Sequence, residues 1–301
     1  METCCILYNP KAGNGRGLNE ARRLDSIWSG KSLDYIDVTT IADIRAYLDS
    51  LPAETTVVLA GGDGTLNHFI NDMGGEAPAR DIYYFAAGSG NDFLRDAERT
   101  RDDPPFLLNP YLQNLPTVTV NGMTRYFLNG IGYGIDGYCC EVGDKQRLKS
   151  DKPVNYTAIA IKGLLFGYHR TLADVCVDGD TKAYRAVWLA PTMKGRFYGG
   201  GMMCAPGQNR LDPEGSVSTM VMTGKSKLKT LIVFPSIFKG GHIRHREMVT
   251  IRPGHEVTVR FNRPTALQID GETVLGVTEY SVSTRKSVGA AEKSEAAVVA
   301  E

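Results

Sequence analysis

Three glycine-rich loops in the first hundred residues each separate an apolar segment from a helical pattern. They occupy residues 9–15, 61–65 and 88–92. Buried strands that alternate with amphipathic helices fold as a parallel sheet with helices on both faces. We therefore predict an N-terminal α/β domain over residues 1–115, built on an open parallel sheet.

Two hydrophobic periodicities support this prediction. Segments typical of buried strands occupy residues 4–8, 33–38, 55–60 and 82–86. Between them, apolar residues recur at helical spacing over residues 18–28, 41–51 and 66–73. The chain thus repeats a strand, a loop and a helix.

The second part of the chain has a different pattern, in which short alternating strands are separated by hairpin signals. These signals are Asn121-Gly122, Asp178-Gly179 and Asp270-Gly271. Such pairs form two-residue turns between antiparallel strands. We predict an antiparallel, β-sandwich-like domain over residues 116–285, interrupted by one helix over residues 156–165. Residues 286–301 are predicted to form a C-terminal tail, either a helix that returns to the first domain or a frayed end.

Charge and composition exclude several classes of partner. Lys plus Arg and Asp plus Glu number 34 each, so no net field attracts nucleic acid, and we expect no nucleic-acid partner.

Six cysteines without zinc or disulfide-framework spacing, and the lack of a signal-peptide pattern, predict a cytoplasmic protein. The longest apolar segments fall short of the roughly 20 residues that span a bilayer. Any membrane contact is therefore predicted to be peripheral.

The glycine loops lie where the carboxyl ends of parallel strands meet, which is the usual ligand-binding edge of such sheets. Glycine lets backbone amides approach an anion, and the N-terminus of the following helix favours negative charge. One such loop is equally typical of a tight turn, but three in corresponding positions favour phosphate. Asp63 would repel a phosphate unless a divalent cation lay between them. We therefore predict a metal-bound triphosphate as the ligand, with Asp63 coupled to the divalent cation.

Two familiar nucleotide motifs are excluded by spacing. No loop has the Gly-x₄-Gly-Lys-Ser/Thr pattern of a P-loop. The glycines at positions 13, 15 and 17 are too evenly spaced for a dinucleotide fingerprint.

Five motifs together carry a family resemblance. They are Asn-Pro-Lys-Ala-Gly at 9–13, Gly-Gly-Asp-Gly-Thr-Leu-Asn at 61–67, Gly-Ser-Gly-Asn-Asp-Phe at 88–93, Gly-Gly-Gly at 199–201 with Ala-Pro at 205–206, and Asp-Gly-Glu at 270–272. In this order they resemble the diacylglycerol kinase catalytic-domain family over roughly residues 4–284. The sequence is similar to soluble bacterial lipid kinases, which are related to sphingosine kinases and NAD kinases. NAD kinases and relatives of 6-phosphofructokinase share the second motif, so the resemblance implies a phosphofructokinase-like nucleotide domain.

The resemblance implies transfer of the γ-phosphoryl group of ATP to the hydroxyl of diacylglycerol or a related lipid alcohol. It implies Glu272 as the proton acceptor, with Asp270 as the less favoured candidate. The residues that it implies around the nucleotide are Asn9, Pro10, Lys11, Ala12, Gly13, Thr40 or its neighbour Thr39, Gly61, Gly62, Gly64, Thr65, Leu66, Asn67, Ser89, Asn91 and Asp92.

Two positions depart from the family pattern. Many relatives have Glu after the Asn of the second motif, whereas this chain has His68. Gram-positive relatives carry a structural Mg²⁺ at an Asp-Gly turn of the β domain. The matching turn here is altered, over residues 211–215, and its candidate ligand is Asp212.

One segment of the neutral chain is strongly basic. Residues 225–246 contain six Lys and Arg residues, no Asp or Glu, and two apolar runs. We hypothesise that this segment docks on an anionic membrane surface and admits a lipid; the alternative is a solvated helix packed on its own domain. An NAD kinase-like phosphotransferase and an inactive nucleotide-binding regulator remain alternative functions. The sequence leaves open the lipid acceptor and the oligomeric state, including a homodimer.

Overall fold

The computed structural model describes residues 3–88, 90–149 and 154–284. The predicted tail over residues 286–301 and the candidate nucleotide contact Ser89 lie outside the described residues. No helix in the described part of the chain combines the length and the apolar content that a bilayer-spanning segment requires.

The N-terminal sheet has five strands in the order β2-β1-β3-β4-β5. The strands are β1 (Thr3–Tyr8), β2 (Ser32–Asp37), β3 (Thr56–Gly61), β4 (Ile82–Ala86) and β5 (Phe106–Leu107). Strands β1 to β4 are parallel, as predicted, but β5 pairs antiparallel to β4 and makes the sheet mixed. Sequence periodicity could not predict β5, because two residues are too few to show an alternation.

Helices cover both faces of this sheet. They are α1 (Ala12–Gly15), α2 (Gly17–Ala21), α3 (Leu24–Ile27), α4 (Ile44–Ser50), α5 (Asp63–Asp72) and α6 (Asp92–Asp96). One buried cluster joins the sheet to α4, α5 and α6, and a second joins the other face to α2 and α3. The prediction of a single helix over residues 18–28 is wrong, because this segment forms two helices, α2 and α3. At the break the Arg23 guanidinium lies 4.7 Å from the centre of the Phe85 ring.

The second domain is an antiparallel β structure that closes on itself. Strand β16 pairs with β17 along its length, with β9 near its start and with β8 near its end. The strands are β6 (Thr117–Val120), β7 (Met123–Tyr126), β8 (Gly130–Tyr133), β9 (Thr171–Val177), β10 (Asp180–Leu189), β11 (Thr192–Met193), β12 (Phe197–Tyr198), β13 (Met202–Met203), β14 (Val217–Thr223), β15 (Val249–Gly254), β16 (Glu256–Ile269) and β17 (Glu272–Ser283). The predicted antiparallel β architecture is confirmed.

Within the described residues, three α-helices, not one, accompany these strands. They are α7 (Ile135–Arg147), α8 (Tyr156–Lys162), which continues into a π-helical turn (Gly163–Gly167), and α9 (Lys227–Val233). Helix α7 escaped prediction because its glycines dilute the apolar pattern. The same glycines let it pack closely, since a Cβ on Gly137 would lie 2.0 Å from the carbonyl oxygen of Ala266.

Short 3₁₀ helices complete the described chain. They cover Val38–Thr40, Asn109–Leu112, Phe234–Lys239 and Gly241–Arg244. The first of them directly follows β2, at the sheet edge where the glycine loops lie.

Candidate active site

The strand register brings the predicted loops to one edge of the N-terminal sheet. Tyr8 pairs with both Asp37 and Ala60, and Gly61 pairs with Ala86. The four strands are parallel, so the segments after β1, β2, β3 and β4 leave the sheet on the same side. Thr39 and Thr40, directly after β2, are exposed there.

The first loop is fastened to the second. The Asn9 side-chain amide donates to Thr65 Oγ1 at 3.1 Å, and Asn9 Oδ1 accepts from the Lys11 amide at 2.9 Å. Gly13 adopts a left-handed conformation with φ 57°, which a side chain would strain. Around them, Pro10 and Ala12 are half-buried and Lys11 is exposed.

The second and third loops touch through glycine backbones. A Cβ on Gly88 would lie 2.3 Å from the Cα of Gly62, so a side chain would separate the loops. Asn91, which has a φ of 50°, donates its side-chain amide to the Gly88 carbonyl at 3.0 Å. The three loops therefore form one surface, as their common position in the sequence pattern predicted.

Helix α5 presents its N-terminal turn to this surface. Gly64 is exposed, and nothing lies within 4 Å of the place where its Cβ would be. Leu66 is fully buried in the core, so its side chain cannot contact a ligand at this surface. Amide groups at a helix N-terminus bind anions, and the open space over Gly64 gives a phosphate access to them.

Asp63 joins the two helix N-termini of the site. Its Oδ2 accepts from the Asp92 amide at 2.8 Å and its Oδ1 from the Phe93 amide at 2.9 Å. Asn129, from the second domain, also donates to Oδ1 at 3.1 Å. These donors orient the carboxylate and leave it half-buried between the domains.

Asp92 supplies a second buried carboxylate beside Asp63. One oxygen accepts from the Gly200 amide at 2.8 Å, within the predicted glycine motif of the second domain. The other oxygen, Oδ1, is buried and accepts no hydrogen bond among the described residues, but it lies 3.7 Å from Arg95 Nη1. Burial, and next the charge of Asp63, raise the pKa of Asp92 to about 7. A cation between these carboxylates would relieve both effects, which is the chemistry of a divalent metal.

Asp270 links the two domains through hydrogen bonds to its buried carboxylate. Its carboxylate accepts from the backbone amides of Leu128, Asn129 and Gly130, at 2.6, 2.8 and 3.0 Å. It also accepts from the Asn67 side chain at 2.7 Å. Burial raises its pKa, and these donors oppose the rise. Because the oxygens are occupied, the geometry favours Glu272 over Asp270 as the group that faces a substrate.

Glu272 lies at the start of β17, where it is partly exposed. Its Oε2 pairs with Arg125 Nη1 at 2.5 Å, and its Oε1 lies 3.4 Å from His68 Nε2 on α5. Arg125 also donates to Asn67, which in turn holds Asp270. The carboxylate therefore lies at the junction of the two domains, at the end of a continuous polar network.

A buried ion-pair cluster fixes the domains on the other side of the site. Asp96 pairs with Arg196 Nε at 2.7 Å and with Arg210 Nε at 2.6 Å. Arg210 continues to the Asn129 side chain at 2.7 Å, and Asn129 reaches Asp63. The orientation of the Asp63 carboxylate is thus coupled to the contact between the domains.

Comparison with known protein families agrees with this architecture. The family described as the diacylglycerol kinase catalytic domain matches residues 3–120, and the YegS C-terminal NAD kinase beta sandwich-like domain matches residues 129–285. The chain belongs to the diacylglycerol kinase family. It is therefore a phosphotransferase.

Individual relatives of this family are distant in sequence but similar over most of their length. A diacylglycerol kinase of Mycobacterium tuberculosis is 24% identical over 257 residues, 82% of this chain and 81% of the relative. The candidate lipid kinase YtlR of Bacillus subtilis is 22% identical over 317 aligned positions, 94% of this chain and 96% of the relative. A solved diacylglycerol kinase structure from Bacillus anthracis shares the fold with a TM-score of 0.56 at 13% identity, over 94% of each chain.

Several residues of this candidate site were not identified from the sequence. They lie in segments that show no motif, and their partners lie far along the chain: Arg125, Asn129, Asp96 and Arg210. Only the residue types gave a signal, since charged side chains are rarely buried without a partner.

The predicted metal ligand Asp212 lies in a loop that the carboxylate itself organises. It accepts from the amides of Glu214 and Ser216, each at 3.1 Å. A hydrogen bond from the Ser216 hydroxyl, and next those from the two amides, hold the pKa of Asp212 below its usual value. Its assignment to a second Mg²⁺ stays a prediction.

Proposed function

We propose that this chain transfers the γ-phosphoryl group of Mg-ATP to the hydroxyl of a lipid alcohol of the diacylglycerol class. One observation carries the proposal: the open helix N-terminus at Gly64 and the partly exposed carboxylate of Glu272 belong to different domains and meet at one junction. The phosphate donor would lie on the first domain and the acceptor would come from the second.

The described residues fit a nucleotide-bound Mg²⁺. Asp63 and Asp92 provide two carboxylates, and one buried oxygen of Asp92 accepts no hydrogen bond among the described residues. No group of three or more His, Cys, Asp or Glu able to hold a metal by itself occurs in the described ranges. Two carboxylates suit this role, since Mg²⁺ in kinase sites takes one or two protein carboxylates and completes its shell with phosphates and water. When bound, the ion would neutralise charge on the transferring phosphoryl group.

The residues of this chain would contribute by holding the two substrates in position for phosphoryl transfer. Amides of the N-terminal turn of α5 would hold the phosphates. A carboxylate is too weak a base to ionise an alcohol in advance. Glu272 would therefore orient the lipid hydroxyl as charge develops, which suits a loose phosphoryl-transfer transition state.

The test is turnover of Mg-ATP by the full chain with diacylglycerol, ceramide, sphingosine, undecaprenol and NAD as acceptors. We expect phosphorylation of a lipid and none of NAD. Phosphorylation of NAD alone would identify an NAD kinase-like enzyme. ATP binding without turnover on any acceptor would overturn the proposal in favour of a regulator.

Substitution of Gly64 by alanine separates phosphate binding from folding. The Cβ meets no neighbour, and alanine favours a helix over glycine by up to about 1 kcal/mol, so we expect equal or higher stability. ATP affinity should nevertheless fall at least tenfold, because the methyl group would occupy the approach to the amides. Calorimetric titration with ATP and thermal unfolding measure the two effects.

The control for this variant is Gly207→Ala. Gly207 is also exposed with nothing within 4 Å of its Cβ position, but it lies outside the glycine loops. We expect its ATP affinity to remain at the wild-type value. Equal affinity in both variants would remove α5 from the nucleotide site.

We further propose that the basic segment docks on anionic membrane. Its six Lys and Arg side chains are exposed: Lys225, Lys227, Lys229, Lys239, Arg244 and Arg246. The segment also packs on its own domain, because Val233 and Ile237 are buried in the domain core. Lys229 pairs with Glu247 at 2.9 Å and Lys227 donates to the Leu165 carbonyl at 2.8 Å, so neither is wholly available to lipid.

Exposed apolar side chains beside this segment strengthen the membrane proposal. Leu228 and Ile232 lie one turn apart on α9 and are 69% and 70% exposed. Phe166, on the π-helical turn that contacts α9, is 79% exposed, and Ile161 is 44% exposed. Apolar tips among basic residues are typical of surfaces that enter the headgroup region of a bilayer.

The double variant Phe166→Ser, Ile232→Ser should bind vesicles less tightly. Full burial of one large apolar side chain is worth about 1.5–3 kcal/mol. We therefore expect the affinity for vesicles that contain phosphatidylglycerol, measured by co-sedimentation, to fall at least tenfold. A matched control, Met123→Ser with Leu275→Ser, removes apolar side chains of 54% and 58% exposure outside the segment. Equal loss in both double variants would contradict the docking surface.

A further inference from the structure

His68 marks the point where this chain departs from the family motif, and it faces the candidate catalytic carboxylate. Its Nε2 lies 3.4 Å from Glu272 Oε1, and its side chain is 66% exposed. No structural role in the core explains this histidine, because most of its ring is in solvent. Its one close polar partner in the described residues is the side chain of Glu272.

Glu272 is poorly placed to act as a base alone. Its other oxygen, Oε2, is bound by the Arg125 guanidinium at 2.5 Å. This charge-assisted contact occupies Oε2 and leaves Oε1 to face His68.

His68 also lies on the side of α5 where phosphate is expected. Residues four apart on a helix are neighbours, so Gly64 and His68 share one face, and both are exposed. Side chains at this spacing lie about 5–6 Å apart at their Cβ positions. A hydroxyl directed at a phosphate over Gly64 would therefore pass close to the His68 ring.

We infer that Glu272 acts on the lipid hydroxyl through His68 and not by the direct contact proposed above: the two form a dyad in which the neutral imidazole accepts the hydroxyl proton, while the carboxylate orients the ring and stabilises its charged form. This inference rests on the proposed function. As the bond between the lipid oxygen and the γ-phosphorus forms, the bond from that phosphorus to the β-phosphate oxygen breaks and ADP leaves with the electron pair. The hydroxyl proton passes to His68, which releases it to solvent.

The charged groups around His68 define its electrostatics. Glu272 and Arg125 approach it from β17 and β7, and their charges oppose each other. Asp72 lies one turn along α5, and Asp270 is hydrogen-bonded to Asn67, the residue before His68. Asp144 of α7 accepts from Thr273, the residue after Glu272, at 2.6 Å.

The test is the pH dependence of kcat/KM for lipid phosphorylation in the wild type and two His68 variants. The wild-type profile should show an acid limb, a fall in rate as the pH is lowered, because a protonated imidazole cannot accept the hydroxyl proton. His68→Gln should lose about 10²- to 10⁴-fold and lack this limb. His68→Glu should recover part of the rate, with its limb moved below about pH 5. An unchanged rate and profile in His68→Gln would overturn the inference.

Two further measurements separate this inference from folding and from the proposed function. His68 is exposed, so the thermal midpoint and ATP affinity of His68→Gln should match the wild type. In a ¹⁵N NMR spectrum, the neutral His68 ring should show one preferred tautomer, with its proton on Nε2, because Nε2 faces Glu272 Oε1. Glu272→Gln should weaken this preference, and an unchanged tautomer ratio would contradict the dyad whatever the assay gives. A wild type inactive on every lipid but with the expected NMR result would instead refute the proposed function.

Discussion

Replacement of Asp63 by asparagine should lower kcat for lipid phosphorylation by about 10³-fold or more, the scale of a lost charge-stabilising group in phosphoryl transfer. The amide keeps one oxygen to accept a hydrogen bond from α6 but loses the charge that would hold a nucleotide-bound cation. Steady-state turnover at saturating Mg-ATP measures the effect. The fold should survive, because the amide has almost the same shape.

Asp49→Asn is the matched control for this change. It makes the same replacement at an exposed position of α4 and should leave kcat unaltered. Asp63→Ala should add a loss of stability, since it removes every acceptor for the Asp92 and Phe93 amides. Wild-type turnover in Asp63→Asn would refute the assignment of Asp63 to the metal-nucleotide site.

Replacement of Asp96 by asparagine should lower the free energy of unfolding by about 3–5 kcal/mol, the usual loss when one partner of a buried ion pair is removed. The side chain is 2% exposed and pairs with Arg210, which is 4% exposed. Without the carboxylate, a buried guanidinium has no opposite charge. Denaturant unfolding measures the loss, and two separate transitions would report that the domains no longer unfold together.

Glu98→Gln serves as the control for Asp96. Glu98 also pairs with Arg196, at 3.1 Å, but its side chain is 77% exposed. Exposed pairs contribute about 0–1 kcal/mol, so this variant should unfold almost as the wild type does. Similar losses in both variants would mean that the buried cluster does not hold the domains together.

Local sequence patterns predicted the parts of the fold that depend on neighbours in the chain. Strands β1 to β4 and the glycine loops after them were predicted because periodicity and glycine content are local signals. The same limit explains the errors. Strand β5 is too short for a pattern, and α7 contains glycines that serve its close packing against β16.

The candidate site likewise combines features that the sequence predicted with features that depend on contacts between distant residues. Asp270 and Glu272 are two residues apart in one turn signal, and the sequence could rank them only by family resemblance. Their environments differ because Asp270 accepts from amides some 140 positions earlier, at Leu128 to Gly130, whereas Glu272 meets Arg125 and His68. Such contacts have no periodicity along the chain, so nothing in the sequence pattern reports them.

The sequence by itself determined the two-part architecture, the edge of the sheet where the glycine loops meet and the family, since each depends on residue types at fixed spacing. Only the tertiary structure decided which carboxylates are fully hydrogen-bonded between the domains and which are partly exposed at their junction. That distinction depends on burial and on hydrogen-bond donors from the other domain, such as Asn129 at Asp63. Folding brings these donors into place across distances that the linear pattern does not encode.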